Sequence, residues 1–136
     1  MNEFLWPVRV YYEDTDSGGV VYYDNYLKFM ERARTEWLRH LGFEQDELIQ
    51  KDAVIFAVRS VQVDYLLPAR FNDELSVSAN LIEQGRASLT IQQSISRIAD
   101  NILLCRGSVK IVSLRADSFK PCAIPENIKQ QLKQGA

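Results

Sequence analysis

The stretch from Asn25 to Leu41 constrains this chain more than any other. Tyr26, Leu27, Met30, Ala33, Trp37, Leu38 and Leu41 recur at three- and four-residue steps, the spacing of one face of an α-helix. Lys28, Glu31, Arg32, Arg34, Glu36 and Arg39 fill much of the remainder. Asp24 is a natural N-cap, and Gly42 falls where a left-handed residue is expected to end the helix. An apolar stripe this wide needs a partner surface, and no second segment carries a helix of that length. The partner must be a sheet.

The rest of the chain supplies one. Trp6 to Glu13 is rich in Val and Tyr and has Pro7 at its start, where a strand tolerates proline. Four further runs read as strands: Val54 to Leu67, Glu74 to Glu83, Ala87 to Ala99 and Ile102 to Leu114. Each alternates as a sheet with one covered face does, as in Leu75, Val77, Ala79 and Leu81. Pro68 with Asn72-Asp73, Gly85-Arg86 and Asp100-Asn101 mark the turns, and such short connections imply antiparallel neighbours. Glu44 to Lys51 suits a short polar helix, and Pro121 to Gln134 a polar tail with a helical turn or two opening at Pro125. The expected architecture is α+β: one domain over residues 1–136, a five-stranded antiparallel sheet curled around one long central helix. Such a sheet leaves edge strands to be managed, which oligomerisation commonly does.

Charge and cysteine usage narrow the function classes. A net charge of −2 and a pI of about 5.4 provide no bulk positive field for nucleic acid or anionic lipid. Any phosphate must then be held by a local cluster of Arg and Lys. Cys105 and Cys122 form no CxxC pair, and with a single histidine a zinc site lacks ligands. Met1-Asn2-Glu3-Phe4 lacks the basic and apolar regions of a signal peptide, and no apolar run reaches membrane-spanning length, so a cytoplasmic protein is expected.

The chemistry concentrates in the turn before the helix, Asp14-Thr15-Asp16-Ser17-Gly18-Gly19. Paired glycines let backbone or ligand approach closely, and an exposed helix N-terminus offers unpaired N–H groups to negative charge. Carboxylate, glycines and helix N-terminus within ten residues are the parts of an active site. Asp14 reads as the structural turn residue. Glu31, two turns into the helix, either pairs with Arg34 or Arg32 or serves as a second acid. His40 lies in the last helical turn, about 25 Å from the helix start at 1.5 Å per residue, and suits the negative end of the dipole there.

These residues carry a resemblance. Arg9-Val10, then Thr15-Asp16, Gly19-Val20-Val21-Tyr22-Tyr23 and Tyr26 resemble the active-site signature of the 4-hydroxybenzoyl-CoA thioesterase family. Within it, VRVYYEDTD-GGVVY followed by ERARTEWLRH looks most like the YbgC-type acyl-CoA thioesterases found with the Tol-Pal system. The likeness covers nearly the whole chain. It implies the hotdog fold, assembly as homodimers and often homotetramers, and hydrolysis of acyl-CoA thioesters with no metal or redox cofactor, coenzyme A being part of the substrate. By position, Asp16 matches the catalytic carboxylate, Gly19 the turn, and the backbone N–H of Tyr23 the donor that polarises the thioester carbonyl. YbgC-type proteins usually carry His at the position of Tyr23, whereas some aryl-CoA members carry Tyr.

Thioester hydrolysis needs a nucleophile or a base for water, oxyanion stabilisation and a slot for CoA. Asp16 suits direct attack on the carbonyl or activation of water, and the expected acyl group is either short and aliphatic or aromatic. For the CoA phosphates the candidates are Arg59, Arg86 with Ser88, and Arg70; the turn Gly85-Arg86-Ala87-Ser88 resembles the place where family members hold them. The competing class is a non-catalytic acyl-CoA or acyl-carrier-protein binding module on the same fold, for which the carboxylate of Asp16 has no use.

Overall fold

The structure, a computed structural model, describes residues 3–135; Met1, Asn2 and Ala136, the ends of the domain expected over 1–136, lie outside the described residues. Strands β1 (Phe4–Arg9), β2 (Val54–Tyr65), β3 (Glu74–Gln84), β4 (Ser88–Arg97) and β5 (Ile102–Arg115) form one sheet in the order β1-β3-β4-β5-β2, every neighbour antiparallel. The long helix α1 (Tyr23–His40) lies against its concave face. Two shorter helices complete the fold: α2 (Gln45–Glu47), continued by a wider turn over Leu48–Asp52, and α3 (Glu126–Gly135). The expected α+β hotdog arrangement is therefore present, with a five-stranded antiparallel sheet around one central helix.

Three bulges let the sheet curl. Register shifts between Val58 and Ser60 in β2, between Leu81 and Glu83 in β3, and between Ile95 and Ser96 in β4 each increase local twist. Arg59 is the extra residue of the first bulge. The covered face follows from alternation: Leu75, Val77, Leu89, Ile91 and Ile95 are fully buried, facing Phe29, Met30, Ala33 and Leu38 of α1. Burying one such large side chain contributes about 1.5–3 kcal/mol, so this shared face dominates the stability of the domain.

A buried polar residue ties the two layers together. The Gln93 amide on β4 donates to the carbonyl of Met30 in α1 at 3.0 Å and to that of Ser78 in β3 at 3.1 Å, and its oxygen accepts from Arg34 Nη1 at 2.9 Å. Alternation sets Gln93 on the same inward face as Leu89, Ile91 and Ile95, but no local pattern names the partners of its amide.

Several boundaries move for identifiable reasons. Strand β1 runs over Phe4–Arg9 rather than Trp6 to Glu13, because Tyr12–Asp14 turn into a 3₁₀ helix. Helix α1 starts at Tyr23, with Tyr22 as a cap that makes no side-chain hydrogen bond, so Asp24 is a first-turn residue and not the N-cap. It still complements the positive end of the helix dipole. Gly42, at φ +101°, takes the left-handed position just beyond the helix. The helix in the C-terminal tail runs for ten residues rather than the turn or two expected. Helix α3 buries Ile128 and Leu132, with Ile124 just before it, against the end of the core that holds Trp37 and Leu38. Among the described residues no helix is long and apolar enough to cross a membrane.

Candidate active site

The turn between β1 and α1 is built by Asp14. Its Oδ2 accepts the Tyr11 N–H at 2.9 Å, and its carbonyl accepts the Tyr22 N–H at 3.1 Å and the Asn25 side-chain amide at 2.9 Å. A buried aspartate thus fixes where the helix begins, which is the structural part expected of it.

Asp16 sits in the next loop. Its N–H donates to the Val20 carbonyl at 2.9 Å, while its own carbonyl accepts the Gly19 N–H at 3.1 Å. One carboxylate oxygen, Oδ1, accepts the Gly18 N–H at 2.8 Å, an aspartate turn of the ordinary kind. Among the described residues Oδ2 takes no hydrogen bond, which leaves half of the carboxylate for a ligand or water. Gly19 has φ +79°, where a side chain is strained, and the turn closes on that residue. Bridges of Thr15 to Val21 and of Val20 to Arg70 tie the loop down on both sides.

Asp16 lines a cleft of about 370 Å³ together with Val20, Val21, Tyr22, Tyr23, Tyr26 and the run Tyr65-Leu66-Leu67-Pro68. One wall is the start of α1. Tyr23 is the first helical residue, so its N–H has no acceptor within the helix. The opposite wall is the chain leaving β2, held in place because the N–H groups of Leu66 and Leu67 both donate to the Leu104 carbonyl, at 2.8 and 3.0 Å. A partly buried carboxylate and free helix N–H groups thus share one largely apolar cleft.

Three tyrosines shape its interior. The Tyr65 ring lies 5.0 Å from that of Tyr23 and 5.4 Å from that of Tyr26, tilted to both. Tyr26 is 3% exposed and its hydroxyl accepts the Ala69 N–H at 2.9 Å. Burial raises the phenol of Tyr26 above its ordinary range, outweighing that bond, and desolvation does the same for Tyr65. Both stay neutral at ordinary pH. Behind them Cys105 is fully buried, and desolvation pushes its thiol up to about 12.

Of the residues the sequence singles out, Asp16, Gly19 and Tyr23 come together here. The phosphate candidates do not join them. Arg59 is exposed on the β2 bulge, and Arg86 is exposed in the turn before Ser88, the first residue of β4. Ser88 stands opposite Val112 on β5 while Ile95 stands opposite Cys105, the partner of Tyr65. That turn is therefore seven residues, about 23 Å of strand, from the cleft within one chain. Arg70 is nearer, bridging Val20 through its backbone, and its side chain is exposed. Glu31 lines a different cleft, beside Arg34, and His40 packs on Phe4 at 5.6 Å, away from the site. The sequence reading missed Tyr65 to Pro68 as site residues; an apolar run continuing past the end of a strand was the available signal.

Comparison with known proteins gives the family. Residues 10–132 match the model of the thioesterase-like superfamily. The chain is 45% identical over 131 residues to an acyl-CoA thioester hydrolase YbgC of Escherichia coli, covering 96% of each. It is 41% identical over 128 residues to the acyl-CoA thioesterase YbgC of Haemophilus influenzae, covering 94% of this chain and 93% of that one. In three dimensions it superposes on a 1,4-dihydroxy-2-naphthoyl-CoA thioesterase from Synechocystis with a TM-score of 0.90, covering 98% of each at 22% identity, a likeness of fold. The chain belongs to the thioesterase-like superfamily, and within it to the YbgC-type acyl-CoA thioesterases.

Proposed function

We propose that this protein hydrolyses the thioester bond of acyl-CoA in the cleft between Asp16 and the start of α1. One observation carries the reading: Asp16, with an uncommitted carboxylate oxygen, and Tyr23, the first helical residue, line the same apolar cleft. The names of the similar proteins add the substrate class, coenzyme A thioesters. In the reaction the acyl group enters among Tyr23, Tyr26 and Tyr65. The thioester oxygen meets the Tyr23 N–H, whose partial positive charge is reinforced by the helix dipole. Asp16 either attacks the carbonyl carbon, expelling the CoA thiolate and leaving a mixed anhydride for water to cleave, or takes a proton from water as water attacks. Both routes end in free carboxylate and CoA thiol.

Of the candidates for the CoA phosphates one chain brings only Arg70 near the cleft, since Arg86 and Ser88 lie at the far end of the sheet and Arg59 on its edge. Assembly into at least a homodimer, in which these residues come from another copy, accounts for their placement. The acyl group is short and aliphatic or aromatic, and acyl-carrier protein is the alternative carrier of the same thioester.

The test is free-thiol release from short aliphatic, long aliphatic and aromatic acyl-CoAs by wild type and Asp16→Asn. Turnover falling about a hundredfold or more in the folded variant supports the reading. Saturable binding without turnover by wild type leaves the binding module instead.

A further inference from the structure

The cleft beside Asp16 has a neighbour. An open groove of about 470 Å³ is lined by Tyr23, Val63, Asp64, Tyr65 and Leu66. Tyr23, Tyr65 and Leu66 also line the Asp16 cleft of about 370 Å³, so the two spaces adjoin and these residues are the wall between them. The centre of that wall is a pair of rings. Those of Tyr23 and Tyr65 lie 5.0 Å apart between centroids and 52° from parallel, within the range of a contacting aromatic pair.

The two rings are held differently. Tyr65 is the last residue of β2, pinned by its pairing with Cys105 on β5, and its ring leans on that of Tyr26 at 5.4 Å. Tyr26 is itself buried, with its hydroxyl fixed on the Ala69 N–H, so Tyr65 has no room to retreat inwards. Tyr23 is the opposite case: it opens α1, and it is 68% exposed. One ring is a fixed post and the other a leaf set against it. Beyond them Val63 and Leu66 give the second groove an apolar wall, while Asp64 pairs with Arg106 across the strands at 3.9 Å.

Tyr23 also links this wall to the chemistry. Its N–H is the donor assigned above to the thioester oxygen, so the reacting carbonyl and the wall belong to one residue. We propose that the Tyr23–Tyr65 pair is an acyl-length gate: with the pair in contact the cleft takes short acyl groups, and with either ring removed the tail of a longer one runs on into the groove beside Val63. The inference rests on the thioesterase reading and deepens it, by naming the side chains that decide which acyl groups are taken. Each methylene moved from water into apolar surroundings strengthens binding about fourfold, and three of them about fiftyfold, so opening the groove should be plain in the substrate profile.

The experiment measures kcat/KM for butanoyl-CoA and decanoyl-CoA by thiol release, and reads the ratio of the longer substrate to the shorter. Wild type is expected to favour butanoyl-CoA about tenfold or more. Tyr65→Ala should raise the ratio about tenfold or more, and Tyr23→Ala, which keeps the backbone N–H, should move it the same way. Tyr65→Phe keeps the ring and should leave the ratio within about threefold. General damage to the fold or the site lowers both rates and leaves their ratio alone, so the ratio isolates the gate. A wild type that uses both substrates equally, a Tyr65→Ala variant with an unchanged ratio, or a Tyr65→Phe variant that shifts it as far as Tyr65→Ala overturns the proposal. So does a KM altered equally at both lengths, the mark of a groove that holds the pantetheine arm common to all the substrates. Calorimetric titration of the same proteins with S-butyl-CoA and S-decyl-CoA, thioethers that cannot be hydrolysed, separates the gate from the reaction. Absence of thiol release from either substrate overturns the thioesterase reading, and the gate then stands or falls on whether Tyr65→Ala raises the affinity ratio of S-decyl-CoA to S-butyl-CoA.

Discussion

The hydroxyl of Tyr26 accepts the N–H of Ala69 at 2.9 Å, and this bond fastens the start of the helix to the far wall of the cleft. Ala69 is fully buried, so its N–H has no water to turn to when the hydroxyl is gone. An orphaned buried donor costs about 1–3 kcal/mol. Tyr26→Phe keeps the ring packing against Phe29 and Tyr65, which isolates that cost. Thermal unfolding should show a melting temperature lower by a few degrees, about 3–8 °C for a domain of this size. An unchanged melting temperature would mean that the bond contributes nothing.

Gly19 makes a different prediction. An added Cβ meets nothing within 4 Å, so space is no obstacle to Gly19→Ala. The obstacle is φ +79°, which costs a side chain about 1–2 kcal/mol. The turn can relieve that strain only by rotating the residue whose N–H holds the Asp16 carbonyl. A folded protein with modestly reduced stability and turnover reduced about tenfold or more is expected, because small misplacements of a reacting group are costly. Measured kcat equal to wild type in a destabilised variant would separate the turn from the chemistry.

What the sequence made legible is what repeats. The stripe from Tyr26 to Leu38 announced a buried helix face, and the alternation of Leu75, Val77 and Ala79 announced the face that covers it. The site was legible only at one wall. Asp16, Gly19 and Tyr23 are neighbours in sequence, and a motif can hold them together. Tyr65 to Pro68 reach the same cleft because β2 pairs with β5 at a register set by a bulge at Arg59, and no local pattern encodes that register. The helix start was misplaced for a similar reason. Asp24 has the side chain of a cap, but the Asp14 carbonyl, ten residues earlier, captures the N–H of Tyr22 and fixes the first turn there.

Gln93 should be among the least replaceable residues outside the cleft. Gln93→Leu leaves the Met30 and Ser78 carbonyls without its amide and takes from Arg34 its one acceptor. Stability should fall by about 3 kcal/mol in denaturant unfolding, chiefly because a buried guanidinium stripped of its acceptor carries its full desolvation cost. Adding Arg34→Met removes the stranded cation, and the double variant should regain part of the loss. Strict additivity of the two substitutions would contradict the coupling that their hydrogen bond implies.

Cys105 gives the fold a sensitivity to alkali. Burial, with a smaller contribution from the charge of Asp64, raises its thiol from 9.0 to about 12 in the folded protein. The folded state thus keeps a proton that the unfolded chain releases. The stabilisation is complete below pH 9, shrinks as pH rises beyond that value, and is gone once pH passes the folded value of about 12. Within that window one such group changes stability by about 1.4 kcal/mol per pH unit. Tyr26 and Tyr65, also raised by desolvation, add a loss of the same sign beginning near pH 10. Urea unfolding of wild type and Cys105→Ala between pH 8 and about 10.5 separates the contributions, because the tyrosines are common to both proteins. The variant should be less stable at pH 8 and lose less as pH rises, so the two curves converge. Parallel curves would show that Cys105 ionises as freely in the folded chain as in the unfolded one, and that its burial among Tyr26, Tyr65 and Leu104 is not maintained in solution.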